Sequence, residues 1–278
     1  MKLNTLCSTL LTIVLAASFT IGCADMKEFD NNNASNTEKI LGGRNAKAPA
    51  WMVSILRNGD NHCGGTLIHK DWVLTAAHCV DTHDKSELTV CVGKSKLSKC
   101  RAKDKSAISQ VKYHQRFNRQ NPYGGHDIAV LKLARSFPNR NLSPLARLGD
   151  EPASGRKVRA LGWGVSDYSK ADVSPNHLQR IDLLFLSHAD CSPLWGGLDP
   201  TLICIDSRGE EDQIARQSIC NGDSGGPIHF NGIQIGITSF VAINDQRQCT
   251  ADSPNAFTRI SSFSNWIRNK TNGAVVIR

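Results

Sequence analysis

The 278-residue chain carries 33 lysines and arginines against 25 aspartates and glutamates, a formal charge of +8, with 40% apolar residues and ten cysteines. That length holds one large domain or two small ones, and the apolar share supplies a sizeable core. Basic side chains are scattered except for a run from Lys94 to Lys105. This run has no interleaved aromatics, which excludes a nucleic-acid-binding stripe, and it reads as a solvated basic loop.

The chain opens on Met1-Lys2 and an apolar run, Leu10 to Phe19, too short to span a bilayer comfortably. Residues 1–22 therefore read as a signal peptide. The run ends in Thr20-Ile21-Gly22-Cys23-Ala24, which resembles a bacterial lipobox in which Cys23 becomes the lipidated first residue, although Thr20 departs from the usual leucine. Of the ten cysteines, setting aside Cys7 and Cys23 leaves eight, an even number that suits an oxidising compartment, and a lipid would account for Cys23. Residues 23–39 are polar and asparagine-rich, and read as a lipidated pro-segment or linker.

Order is expected from residue 40 to 278, in two halves of about 40–145 and 150–270, joined by the proline-containing stretch Phe137 to Pro152. Strand-length apolar runs follow one another: Trp51 to Leu56, Gly64 to Ile68, Trp72 to Leu74, Leu88 to Val92, Ile128 to Leu133, Val158 to Leu161, Ile181 to Leu184 and Ile233 to Ile237. Short strands between turn residues predict an all-β sandwich or barrel. One late segment, Ile260 to Asn269, places Ile260, Phe263, Trp266 and Ile267 on one helical face.

The chemistry centres on Cys220-Asn221-Gly222-Asp223-Ser224-Gly225-Gly226-Pro227. Glycines beside a serine permit a tight turn whose N–H groups can face a carbonyl oxygen, and the serine needs a base to become a nucleophile. The segment fits Gly-x-Ser-x-Gly, the α/β-hydrolase elbow, but that fold places its acid and histidine after the serine. Here only His229 follows Ser224, and it is too near to return from another loop. Upstream lie His78, in Leu74-Thr75-Ala76-Ala77-His78-Cys79, and Asp127, in Gly125-His126-Asp127-Ile128. A zinc reading of His62, Cys63, His69, His78, Cys79 and His83 fits no tight ligand spacing, and the basic run lacks the carboxylates of a calcium site, so no metal and no cofactor are expected.

Ile40-Leu41-Gly42-Gly43, the His78 segment, Asp127 with its apolar tail, Gly162-Trp163-Gly164 and the Ser224 segment occur in the order and spacing of a known family. From Ile40 to about Ile267 the chain resembles the trypsin/chymotrypsin-like serine proteases. The resemblance implies two six-stranded antiparallel β-barrels with a C-terminal helix, and a secreted or envelope-bound serine endopeptidase. It assigns His78, Asp127 and Ser224 to the triad, the N–H groups of Gly222 and Ser224 to the oxyanion hole, and Ser239 to holding Asp127. It pairs Cys63 with Cys79, Cys191 with Cys204, and Cys220 with Cys249, leaving Cys91 with Cys100. It makes the chain a zymogen cut between Lys39 and Ile40, whose new ammonium would pair with Asp223.

By the same alignment the primary pocket has Ser218 at its base, where trypsin has an aspartate, with Ile219 beside it, Val241 and Asn255 on its walls, and Ser239 counted among its residues. Such a pocket should favour small aliphatic residues; chymotrypsin-like or trypsin-like preference is the alternative. A catalytically silent binding module on this fold is the non-enzyme reading, disfavoured because all three triad residues are present. The expected partners are protein or peptide substrates, a separate trypsin-like activator and proteinaceous inhibitors, with no nucleic acid, membrane contact only through a lipid on Cys23, and a monomeric state.

Overall fold

The computed structural model describes residues 43–164, 175–206, 218–243, 249–250 and 253–277. Cys23, Lys39 and Ile40 lie outside the described residues. The first half is built from β2 (Met52–Arg57), β3 (Asp60–His69), β4 (Trp72–Thr75), β5 (Leu88–Val92), β6 (Lys105–Tyr113) and β7 (Ala129–Leu133), after a two-residue β1 (Arg44–Asn45). These six close into a barrel in the order β2-β3-β4-β7-β6-β5, all pairings antiparallel. Val53, Ile55, Leu67, Val73, Leu74, Val90, Val130 and Leu131 fill it.

The second half comprises β8 (Lys157–Gly162), β9 (Gln179–Leu186), β10 (Leu202–Asp206), β11 (Pro227–Phe230), β12 (Ile233–Phe240) and β13 (Asn255–Arg259). Their order is β9-β10-β13-β12-β11-β8, and the pairing of β8 with β9 closes the second six-stranded antiparallel barrel. β1 adds to the free part of β9, Arg44 opposite Arg180. In β9, Gln179, Ile181, Leu183 and Phe185 are buried while the residues between them are not, the period-two pattern of a strand with one face in a core.

Two elements depart from the expectations above. The basic run is not simply solvated. Asp104 is buried, and its carboxylate draws in Lys94 at 3.0 Å and Arg140 at 3.2 Å. A buried carboxylate without such partners would be costly, so the loop folds inward around it. The late helix begins as a 3₁₀ turn, Ile260–Phe263, and becomes α1 over Ser264–Lys270. Serines are weak helix formers, and Ser261 is bonded to Glu151 instead of serving the helix. The apolar face is nevertheless used as expected: Ile260, Phe263 and Ile267 join the first barrel's core, with Trp266 against it. Lys112, beside the face of Trp72, donates to the carbonyl of Lys270 at the helix end (2.7 Å), where a cation suits the exposed carbonyls.

Candidate active site

His78 follows β4 on a 3₁₀ turn, Ala77–Cys79, and a disulfide from Cys79 to Cys63 on β3 ties that turn to the barrel. Asp127 precedes β7 and is buried between the two halves. Its Oδ2 accepts from His78 Nδ1 at 2.7 Å and from Ser239 Oγ at 2.7 Å, and its Oδ1 accepts from the His78 backbone N–H at 2.9 Å. Its carbonyl accepts from Thr258 Oγ1 at 2.7 Å. Residues from β12 and β13 thus fix an aspartate that belongs to the first barrel.

Burial alone would raise the Asp127 pKa. The charge on His78 and the bonds from His78 and Ser239 overcome it and hold the carboxyl below its ordinary value. An ionised Asp127 can only accept, so Nδ1 of His78 carries a proton, and in the neutral imidazole Nε2 is the nitrogen left with the lone pair.

Ser224 is brought to the same place by the second barrel. Its carbonyl accepts from Gly64 N–H at 2.7 Å, and Thr75 Oγ1, three residues before His78, donates to the Gly64 carbonyl at 2.8 Å. A Cβ on Gly64 would fall 2.7 Å from Gly226 Cα, so the two barrels meet backbone to backbone beside the serine. No hydrogen bond joins His78 Nε2 to Ser224 Oγ among the described residues; resting active sites are often loose here and tighten with substrate.

The Ser224 turn has a local cause. Asp223 N–H bonds the Cys220 carbonyl at 3.0 Å, and Gly222, at φ 93°, takes the third position of a turn that needs a left-handed residue. Among the described residues no acceptor takes up the N–H of Gly222 or of Ser224. The Gly222 carbonyl accepts from Asn61 Nδ2 at 3.1 Å.

Asp223 itself is fully enclosed. Its oxygens accept from the N–H groups of Gly164 (2.7 Å) and Cys220 (3.0 Å). A Cβ on Gly162 or Gly164 would overlap this carboxylate, which explains the glycines either side of Trp163. Burial dominates the two hydrogen bonds and pushes the Asp223 pKa up to about 7.

Ser218 and Ile219 are buried behind this turn. Ser218 Oγ accepts from Asn255 Nδ2 at 3.1 Å and donates to the Ile219 carbonyl at 3.0 Å. Val241 packs on the Cys220–Cys249 disulfide. The other two disulfides are Cys91–Cys100 and Cys191–Cys204. Cys63, His78 and Cys79 offer atoms within 4.8 Å of one another, but the two sulfurs are bonded together and cannot serve as thiolate ligands. His62 and His83 meet edge to face at 4.9 Å, while His69 lies by Asp71, at 3.6 Å.

Residues 40–267 match the protein family described as Trypsin. The chain belongs to the trypsin family. Brachyurin of Leptuca pugilator is 33% identical over 238 residues, covering 84% of this chain and 98% of that protein. Chymotrypsin-like elastase family member 1 of Rattus norvegicus is 31% identical over 278 residues, covering 94% and 98%. The solved structure of neuropsin, a serine protease expressed in the limbic system of mouse brain, superposes with a TM-score of 0.69 at 28% identity, covering 84% of this chain and all of that one (100%). This trypsin-family chain is accordingly a serine endopeptidase acting on protein or peptide substrates, of a secreted, extracellular family.

Sequence reasoning missed three residues that are hydrogen-bonded to the candidate site of this trypsin-family chain. Thr258 and Asn61 hold Asp127 and Gly222 from positions 131 and 161 residues away. Arg119 bonds both Asp81 and the His78 carbonyl. None sits in a local motif, so no signal in the sequence pointed to them.

Proposed function

We propose that Ser224, His78 and Asp127 carry out peptide-bond hydrolysis, and that the enzyme cuts after small aliphatic residues. The observation that carries the first part is the His78–Asp127 pair at 2.7 Å, reinforced by Ser239. Nε2 of His78 takes the Ser224 proton as Oγ attacks the substrate carbonyl. The oxyanion is met by the N–H groups of Gly222 and Ser224, each donor of this kind being worth about 3–4 kcal/mol. The proton then passes to the leaving amine, and water repeats the sequence on the acyl-enzyme.

Specificity is argued from the pocket base. Ser218 and Asn255 are neutral and hydrogen-bonded to each other, so neither of these two described residues offers a carboxylate to a substrate Lys or Arg. Ile219 and Val241 add apolar bulk. The relatives named chymotrypsin-like elastase support the same reading.

We extend the proposal to the precursor. Residues 1–22 act as a signal peptide and 23–39 as a pro-segment lipidated at Cys23; cleavage at Lys39–Ile40 frees an ammonium that pairs with Asp223 and releases the enzyme from its membrane. A pocket for small residues cuts poorly after Lys39, so a separate trypsin-like activator is required, with proteinaceous inhibitors as further partners of a monomer.

The test is digestion of a peptide library by protein processed to begin at Ile40. Cleavage after Ala or Val supports the pocket reading. Cleavage after Lys, Arg or an aromatic overturns it while leaving the triad intact. Absence of both cleavage and labelling of Ser224 by a fluorophosphonate overturns the triad.

A further inference from the structure

On the outer face of the second barrel, β1, β8 and β9 bring Arg44, Lys157, Arg159 and Arg180 around one cleft of about 590 Å³. The register makes this clustering obligatory. Lys157 and Arg159 are two apart on β8 and share a face; Arg159 lies opposite Asp182, and Arg180 lies opposite Arg44. One acid answers these four cations: Asp182 accepts both guanidinium bonds of Arg159, at 2.7 and 3.1 Å. Among the described residues no carboxylate pairs with Arg44, Lys157 or Arg180. Like charges directly opposite on paired strands destabilise a sheet, so the Arg44–Arg180 pair works against the fold in the absence of an added anion.

The cleft is not merely a charged surface. Trp51 and His229 form part of its wall, their rings stacked at 4.5 Å between centroids. His229 is buried, bonded through Nε2 to Ser143 at 2.9 Å, and its Nδ1 has no partner. Leu161 and Pro49 complete an apolar side. Cations at the mouth with an apolar wall suit a ligand that carries carboxylates around an apolar side chain. A sulfated polysaccharide would need an extended cationic stripe and would leave the apolar wall unused.

We infer that this cleft is a docking site for an acidic, apolar-centred peptide segment of a protein substrate. Ion pairs to Arg44, Lys157 and Arg180 would hold the acidic side chains while one apolar side chain rests against Trp51. The inference does not depend on which side chains the primary pocket accepts.

The test measures anisotropy of a fluorescein-labelled Glu-Glu-Leu-Phe-Glu-Glu peptide titrated with the full chain carrying Ser224→Ala, which prevents its digestion. Saturable binding is expected, weakened at least about tenfold by Arg44→Gln with Arg180→Gln, equivalent to ~1.4 kcal/mol. The Gln-for-Glu version of the peptide should not bind. Lys157→Gln, at an exposed position, serves as a second variant if the double one fails to fold, and should also weaken binding. In the active enzyme these variants should leave turnover of a short neutral peptide unchanged. Absence of saturable binding, equal binding by the variants, equal binding of the Gln peptide, or binding of a sulfated oligosaccharide in place of the acidic peptide would each overturn the inference.

Discussion

Asp127 and Asp223 are both enclosed carboxylates within the same candidate active site, and they are held in opposite ways. Asp127 receives His78 through two bonds and Ser239 through a third, and its pKa is lowered. Asp223 receives two backbone N–H groups and no cation among the described residues, and its pKa is pushed up to about 7. Burial disfavours ionisation in both; what differs is the compensation. The first aspartate is finished. The second has the character of a group awaiting a positive partner, which is the role the activation proposal gives it.

The sharpest way to break this comparison is to remove the charge of each. Asp127→Asn should fold but lower kcat by about 10⁴ at neutral pH, because the amide leaves the His78 tautomer wrong; a fall under tenfold in steady-state kinetics would remove Asp127 from the triad. Asp223→Asn keeps one oxygen, for either Gly164 or Cys220, and sets its NH2 against the other N–H, so the precursor should fold with reduced stability, yet cleavage at Lys39–Ile40 should fail to generate activity. Substantial turnover by that cut variant would separate Asp223 from activation.

A smaller effect distinguishes the two in pH. Between about pH 4, the unfolded value, and pH 7, the folded uncut chain holds a proton on Asp223 that the unfolded chain has lost. The contribution of Asp223 to stability should therefore fall as pH rises through that window. Thermal unfolding of the precursor should show this decline, and Asp223→Asn should flatten it. The contribution of Asp127 has the reverse sense: it is present above about pH 4 and is lost as pH falls further toward its lowered folded value. The smallest expected effect is that of Ser239→Ala, which removes one of three bonds to the Asp127 carboxylate and should cost about 1.5–3 kcal/mol of stability, measured by denaturant unfolding.

The legibility of this molecule follows sequence distance. The Ser224 turn was readable because its cause is local: a left-handed Gly222 and an Asp223 N–H closing on Cys220. His78 and Asp127 were readable as a constellation, through order and spacing. Thr258 and Asn61 were not, since their bonds exist only after two barrels have closed. β6 was hidden for a different reason: Lys-Ser-Ala-Ile-Ser-Gln-Val-Lys-Tyr has few apolar residues, and its strand state is imposed by pairing with β5 and β7. Lys94 to Lys105 looked solvated because the sequence gives no sign that Asp104 is buried.

The way residues 260–275 pack on the first barrel sets an order of events during synthesis. Ile260, Phe263, Ile267 and Val275 are part of the apolar core around β2 to β7, and Lys112 on β6 bonds the carbonyl of Lys270. A nascent chain emerging at about 5–20 residues per second would have its amino-terminal barrel out of the ribosome well before these residues exist. That barrel must wait with an uncovered apolar face until these residues arrive, so the half of the enzyme made first is completed by residues made much later.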